Sequence, residues 1–178
     1  HRLCIIDSGA DHADLTDEYA AIPFEMKRIA AHFGKEVLRD VDEAAFYAAL
    51  PALRQESGDR AVLRAIHFFE ENRRVQAQVA ALRRGDFAEF LHLVTASGLA
   101  SWTLLQNVTP AGSTAHQDMA VTLALCAKLL GGRGAVRIHG GGFAGTALAF
   151  VPDDAFEDFR SGVEAALGQG RCKPLAIV

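Results

Sequence analysis

The segment Arg137-Ile138-His139-Gly140-Gly141-Gly142-Phe143-Ala144-Gly145 carries chemistry at a specific spacing. Gly140 to Gly145 matches G-x-G-x-x-G, which cradles a dinucleotide pyrophosphate when it follows a strand and opens a helix. Here Thr146 to Val151 is β-branched and apolar, and Pro152 ends it. The order is therefore strand, glycine loop, strand, and no helix N-terminus is offered to a phosphate. No G-x-x-x-x-G-K-[ST] occurs, which excludes a Walker loop. Two readings remain. Either the glycines only supply the positive φ of a hairpin turn, or their missing side chains admit another backbone or a ligand. Three consecutive glycines exceed what a tight turn needs. The expectation is an opening where a second lobe, holding a nucleotide, comes close.

Other polar residues are weaker candidates. Arg137 and His139 share one face of the strand before the loop. Arg137 is expected to pair with a surface acid rather than a phosphate; His139 reads equally as a cleft neighbour or as a satisfied strand histidine. Asp7, His12, Asp14 and Glu18 crowd one region, but acids at a helix start are explained by the helix dipole. None of them is nominated as a catalytic base.

Positioning these residues falls to an ordinary globular chain. Its 178 residues are 50% hydrophobic with a net charge of −4, enough for one sizeable core with a helical annex. That charge argues against a nucleic-acid partner. Arg73-Arg74 and Arg83-Arg84 read as a solvated helix face. Cys4, Cys126 and Cys172 are widely spaced with no C-x-x-C, and no H-x-x-H occurs, so neither a disulfide framework nor a zinc site is expected. With no signal segment and no membrane-length apolar run, a cytoplasmic location is expected. The chain opens on His1 and enters the apolar run Leu3–Ile6 at once, which suggests a cut from something longer.

Element signals alternate along the chain. Leu3 to Asp7 reads as a strand. A helix follows, N-capped by Thr16 and carrying Ile22, Met26, Ile29, Ala30 and Phe33 at helical spacing, with Pro23 expected to kink or restart it and Gly34 as stop. Asp42 starts a short helix limited by Pro51. A long helix runs from about Asp59 to Arg84 and stops at Gly85. Asp86 with Glu89, Thr114 with Gln117 and Asp154 with Glu157 read as capping boxes for three more helices. Their expected buried stripes are Phe87, Phe90, Leu91 and Val94; Met119, Leu123, Cys126 and Leu130; and Phe156, Phe159, Val163 and Leu167. Strands are expected at Ala135–His139, Gly145–Val151 and Lys173–Val178. The pattern predicts an α+β fold, a small, largely antiparallel sheet packed against several helices.

With these residues in view, the whole chain resembles the C-terminal half of the galactokinase family, in the GHMP small-molecule kinase superfamily. The resemblance rests on Arg137 to Gly145, Asp7 to Tyr19, Arg64-Ala-Ile-His67 with Glu71-Asn-Arg73 through Gly85-Asp86, and Cys172 to Val178. Many family members have Met-Thr before the triple glycine and Gly-Gly-Cys after the phenylalanine. Ile138-His139 and Ala144-Gly145-Thr146 depart from that in the manner of a bacterial subgroup. Leu104 to Pro110 departs from the commoner acidic, tyrosine-containing pattern.

The resemblance implies a ferredoxin-like domain with helical additions over residues 1–178, and ATP-dependent phosphorylation of galactose to galactose 1-phosphate by a longer chain. It implies that Tyr19 meets the sugar, and that Gly140, Gly141, Gly142, Phe143 and Gly145 line the nucleotide cleft. ATP and Mg²⁺ would be held mainly by an N-terminal domain absent from these residues. That domain would carry the galactose motif, the phosphate loop and the catalytic aspartate, leaving this portion inactive alone. The alternatives are a kinase for another small alcohol or sugar and a non-catalytic sugar-sensing module.

Overall fold

The computed structural model describes residues 1–10 and 15–176. Residues 11–14, with His12 and Asp14, and the final Ile177 and Val178 lie outside the described residues.

A four-stranded antiparallel sheet forms the base of the molecule. Its strands are β1 (Arg2–Asp7), β2 (Ala135–Ile138), β3 (Thr146–Val151) and β4 (Cys172–Leu175), in the spatial order β2-β3-β1-β4. Helix α6 (Asp118–Leu130) precedes β2, and α7 (Phe156–Leu167) joins β3 to β4. This is the split β-α-β arrangement of ferredoxin-like folds. Side chains alternate along a strand, so Cys4 and Ile6 share one face with Ile138, Ala147, Ala149, Val151 and Cys172. Met119, Leu123, Cys126 and Leu130 of α6 close that face together with Phe156, Phe159 and Val163 of α7, all buried. Both expected stripes face this core, although Leu167 at the end of α7 is only partly buried.

Between β1 and α6 the chain inserts a helical layer with its own core. It contains α1 (Thr16–His32), α2 (Glu43–Ala48), α3 (Leu50–Ser57), α4 (Asp59–Arg83) and α5 (Phe87–Ala100). Ile29, Ala30, Phe46, Leu53, Ala65 and Phe69 pack together there. Gly34 and Gly85 end α1 and α4 with φ of +65° and +72°. At each stop two amides turn back to the last carbonyls, Gly34 to Ala31 and Lys35 to Ala30, then Gly85 to Leu82 and Asp86 to Ala81. Asp86 at once caps the next helix through Glu89 N at 3.1 Å, and Asp42 caps α2 through Ala45 N at 2.8 Å.

Several expected boundaries move. Thr16 is the first helical residue rather than the cap, and the N-cap position falls on Leu15, which makes no side-chain cap bond. Pro23 lies within a continuous α1. Pro51 stands in the first turn of α3 and so begins a helix, where its missing N–H costs nothing. The Thr114 box fails, because Ser113 and Gln117 bond each other's neighbourhood as a turn and α6 starts at Asp118. Asp154 does not cap α7, since its carboxylate binds Arg133 at 2.5 Å instead. Phe87 is exposed; it stacks on Phe90 at the rim while α5 buries Val94, Ser97, Gly98 and Ala100. Strands β2 and β3 each lose one residue to the loop, and β4 ends at Leu175.

Helix α5 crosses close to β2 at Gly98, where a Cβ would stand 2.9 Å from the Val136 carbonyl. Beside it, Glu71 of α4 collects the Ser97 hydroxyl, the Arg74 guanidinium and, at 3.9 Å, Arg137 of β2. The acid partner expected for Arg137 is thus Glu71. His67, one turn away on α4 and buried, is held below its ordinary 6.5 chiefly by burial, with Glu71 opposing.

The unfolded chain then binds more protons than the native one between the depressed value and 6.5, so His67 makes stability rise with pH through that window. His67→Gln is expected to flatten the pH dependence of urea unfolding there; an unchanged slope would contradict the buried neutral imidazole. Phe159→Ala is expected to cost about 3–5 kcal/mol in the same assay, and Leu99→Ala, on an exposed site, less than about 0.5 kcal/mol.

Candidate functional site

The loop between β2 and β3 is pinned at its base by the His139 amide, which donates to Thr146 O at 3.0 Å. The His139 ring also meets the Thr146 hydroxyl at 3.1 Å, so this histidine is satisfied within the hairpin. Gly140, Gly142 and Gly145 take φ of +77°, +92° and +80°, and Phe143 takes +60°. Phe143 is a left-handed non-glycine residue, a conformation that surrounding contacts must enforce. Its ring is buried, its amide donates to the Asn107 carbonyl at 2.5 Å, and the next amide, Ala144, turns back to Gly142 O at 2.7 Å. At the far end Gly145 O accepts both the Ser8 amide at 2.9 Å and the Ser8 hydroxyl at 2.7 Å.

Two side chains grip the loop from outside. Tyr19, in the first turn of α1, donates its hydroxyl to Gly142 O at 2.8 Å and sets its ring edge-on to Phe143 at 5.5 Å. Asn107 donates its side-chain amide to Gly141 O at 3.0 Å. The sequence reading singled out Tyr19 but passed over Asn107, which lies in the stretch Leu104 to Pro110 noted only as a departure. An asparagine in a loop carries no period, so its role was not visible before folding.

The close approach expected of the glycines is real, and part of it comes from this chain. A Cβ on Gly141 would stand 2.9 Å from Tyr19 Cε1. One on Gly142 would overlap the Asn107 backbone oxygen, and Phe143 fills the core below. Gly140 is different: among the described residues nothing lies within 4 Å of its would-be Cβ. Within the described residues the space beside Gly140 is therefore open, while Tyr19 and Asn107 occupy the space that side chains on Gly141 and Gly142 would need. Among the described residues, the amides of Gly140 and Gly141 donate to no other backbone group, and these two glycines stand in a hydrogen-bonded turn. Consecutive amides around left-handed glycines suit an anion.

Asn107 reaches the loop by way of a π-helical turn, Ser101–Leu105, that continues α5. Gln106 closes that turn at φ +56°, with its amide on Ser101 O at 2.8 Å. The other edge of the region is tied by Glu18, whose carboxylate accepts the Ala111 amide at 2.7 Å. Residues Ala10, Leu15, Val108, Pro110, His116 and Phe143 surround a cavity of about 120 Å³ beside the loop. Among the described residues no cluster of His, Cys, Asp or Glu could hold a metal ion. The three cysteines are free and buried, and burial pushes the Cys126 thiol up to about 12.

This geometry separates the glycines by experiment. Gly142→Ala is expected to destabilise the protein by about 3 kcal/mol or more, from backbone overlap added to left-handed strain. Gly140→Ala should cost only the conformational penalty, about 1 kcal/mol. Equal losses in chemical denaturation would contradict the assignment of Asn107 as the neighbour of Gly142.

No family model matches the chain. Known proteins do. A galactokinase of Actinobacillus pleuropneumoniae is 32% identical over 160 residues, covering 90% of this chain and 40% of that protein. A galactokinase of Mycobacterium tuberculosis is 34% identical over 170 residues, covering 92% of this chain and 42% of that protein. The chain thus spans well under half the length of these relatives. Among solved structures, Lactococcus lactis galactokinase complexed with galactose superposes with a TM-score of 0.70 at 23% identity, covering 98% of this chain and 44% of that one. L. major mevalonate kinase in complex with R-mevalonate shares the fold at a TM-score of 0.56 and 13% identity. The hairpin with its gripped glycine loop is set in a chain that belongs to the galactokinase family, as a C-terminal domain of the GHMP type.

Proposed function

We propose that residues 1–178 form the C-terminal domain of an enzyme that moves the γ-phosphoryl group of ATP to the 1-hydroxyl of galactose. The observation that carries this reading is the glycine loop, open at Gly140 among the described residues and with the amides of Gly140 and Gly141 donating to no other backbone group, in a chain 34% identical to a galactokinase. Phosphoryl transfer is catalysed chiefly by positioning and by stabilising charge. This domain would supply a wall of the cleft, with Gly140 offering no side chain to the facing lobe and the loop amides offering donors to phosphate oxygens. Gly141, Gly142, Phe143 and Gly145 fix the shape of that wall.

Tyr19 is the proposed sugar contact. Its phenol already donates to Gly142 O, so a sugar hydroxyl would meet the phenol oxygen as a donor. One side chain would then join sugar position to loop position. Mg²⁺ carried with ATP would help to neutralise the charge that develops on the phosphates. We assign the Mg²⁺ ligands, together with the catalytic aspartate, to an N-terminal part of the longer protein. We place the enzyme in the cytoplasm, with galactose and ATP as its partners and neither nucleic acid nor membrane. None of the helices described is long and apolar enough to cross a membrane.

A coupled kinase assay on the full-length product, across galactose, other hexoses and mevalonate, tests the reading. Galactose is expected to give the highest kcat/KM, and residues 1–178 alone no turnover. Preference for mevalonate or another alcohol would move the assignment elsewhere in the superfamily, and absence of turnover with every substrate would favour a sensor. Tyr19→Phe in the full-length enzyme is expected to lower kcat/KM for galactose about tenfold, the scale of one lost hydrogen bond in a binding site. An unchanged value would remove Tyr19 from the site.

A further inference from the structure

We propose that Arg64 is a positioning residue for the glycine loop: through Glu25 and the Leu105 carbonyl it sets the gap between Tyr19 and Asn107, the two side chains that grip the loop. The consequence for turnover rests on the galactokinase reading; the consequence for the loop rests on geometry alone.

Arg64 lies in α4 with no exposed side-chain surface. Its Nη1 donates to Glu25 Oε2 of α1 at 2.8 Å, and its Nε donates to Leu105 O at 3.0 Å. Arg60 binds the other Glu25 oxygen at 2.6 Å, which fixes the carboxylate from both sides. A buried guanidinium between apolar helices adds little stability over a well-packed apolar residue. What it adds here is a fixed distance.

Glu25 stands six residues after Tyr19 on one continuous helix, about 9 Å along its axis. Leu105 ends the π turn, and Asn107 follows two residues later. One grip on the loop thus hangs from α1 and the other from the π turn, and Arg64 bonds both supports. The carbonyls of a terminal turn lack helical partners, and Arg64 satisfies that of Leu105. Gln106, left-handed at φ +56°, then swings the chain so that Asn107 meets Gly141 and Phe143. Such a backbone persists only where its surroundings over-determine it, and the Arg64 bond lies one residue upstream.

Arg64→Lys in the full-length protein tests the proposal, because it replaces two donor nitrogens held in one rigid plane by a single ammonium on a flexible stem. The amide of Phe143, bound to Asn107 O, reports on the grip by hydrogen exchange. It is expected to exchange about tenfold faster in the variant, while Ala149 in the middle of β3 keeps its rate. In turnover, kcat is expected to fall about tenfold with KM for both substrates within about twofold, the mark of misplacement rather than lost binding. Acceleration at Phe143 and Ala149 together, or no change at Phe143, would overturn the proposal. Should Arg64→Lys fail to fold, the apolar pair Glu25→Met with Arg64→Met is the second variant, since such swaps tend to preserve folding. It must show the same local acceleration, and a protected Phe143 there would refute the relay. Local acceleration in a protein without turnover on any sugar would uphold the relay and dismiss the kinase reading.

Discussion

Atoms of the chain itself decide the shape of the glycine loop. Asn107 receives the Phe143 amide on its backbone oxygen and gives its side-chain amide to Gly141 O, while Tyr19 gives its hydroxyl to Gly142 O. These bonds draw two other segments so close that a methyl group on Gly141 or Gly142 has no room. The left-handed Phe143 follows from the same grip, because its buried ring and its bonded amide leave it no other conformation. What the loop offers outward is then narrow: the bare Cα of Gly140 and a short row of amides.

The rest of the fold can be understood as support for that grip. The four-stranded sheet with α6 and α7 is a sufficient domain core, and it fixes the two ends of the hairpin. It does not supply either gripping side chain. Tyr19 comes from α1, and Asn107 from the turn that follows α5, both in the helical layer inserted between β1 and α6. That layer has a separate apolar core, and it meets the sheet where Gly98 of α5 passes the Val136 carbonyl. Polar pairs, buried Arg64 with Glu25 and half-buried Glu71 with Ser97, lie at the contacts between its helices and fix their register. A wholly apolar packing would hold the helices together with less control over where Tyr19 and Asn107 arrive.

Much of the architecture was legible in the sequence, for reasons that can be assigned. The stripes of α6 and α7 repeat at 3.6 residues and point at a single sheet face, so period alone identified them. Gly34 and Gly85 end helices because only a left-handed residue allows the last carbonyls to be bonded. The capping boxes were less reliable. Asp86 does cap its helix, but the Asp154 carboxylate is taken by Arg133, distant in sequence, and nothing local announces that competition. The exposure of Phe87 was missed because the α5 stripe twists away from the core towards its N-terminal end. The loop itself was found by composition and given a neighbour from outside, whereas two of its three glycines answer to residues of the same chain. The identity of such a neighbour is a matter of tertiary contact, and a run of glycines says only that something comes near.

The most direct test of the grip is a double-mutant cycle on stability between Gly141→Ala and Tyr19→Ala. Gly141 is not a left-handed position, so the cost of adding its methyl group lies in the Tyr19 ring. The account predicts that Gly141→Ala destabilises the parent but is nearly neutral once Tyr19 is alanine, a coupling of about 1–2 kcal/mol. Additive losses would mean that Tyr19 does not occupy that space, and the explanation of the loop would fail with it.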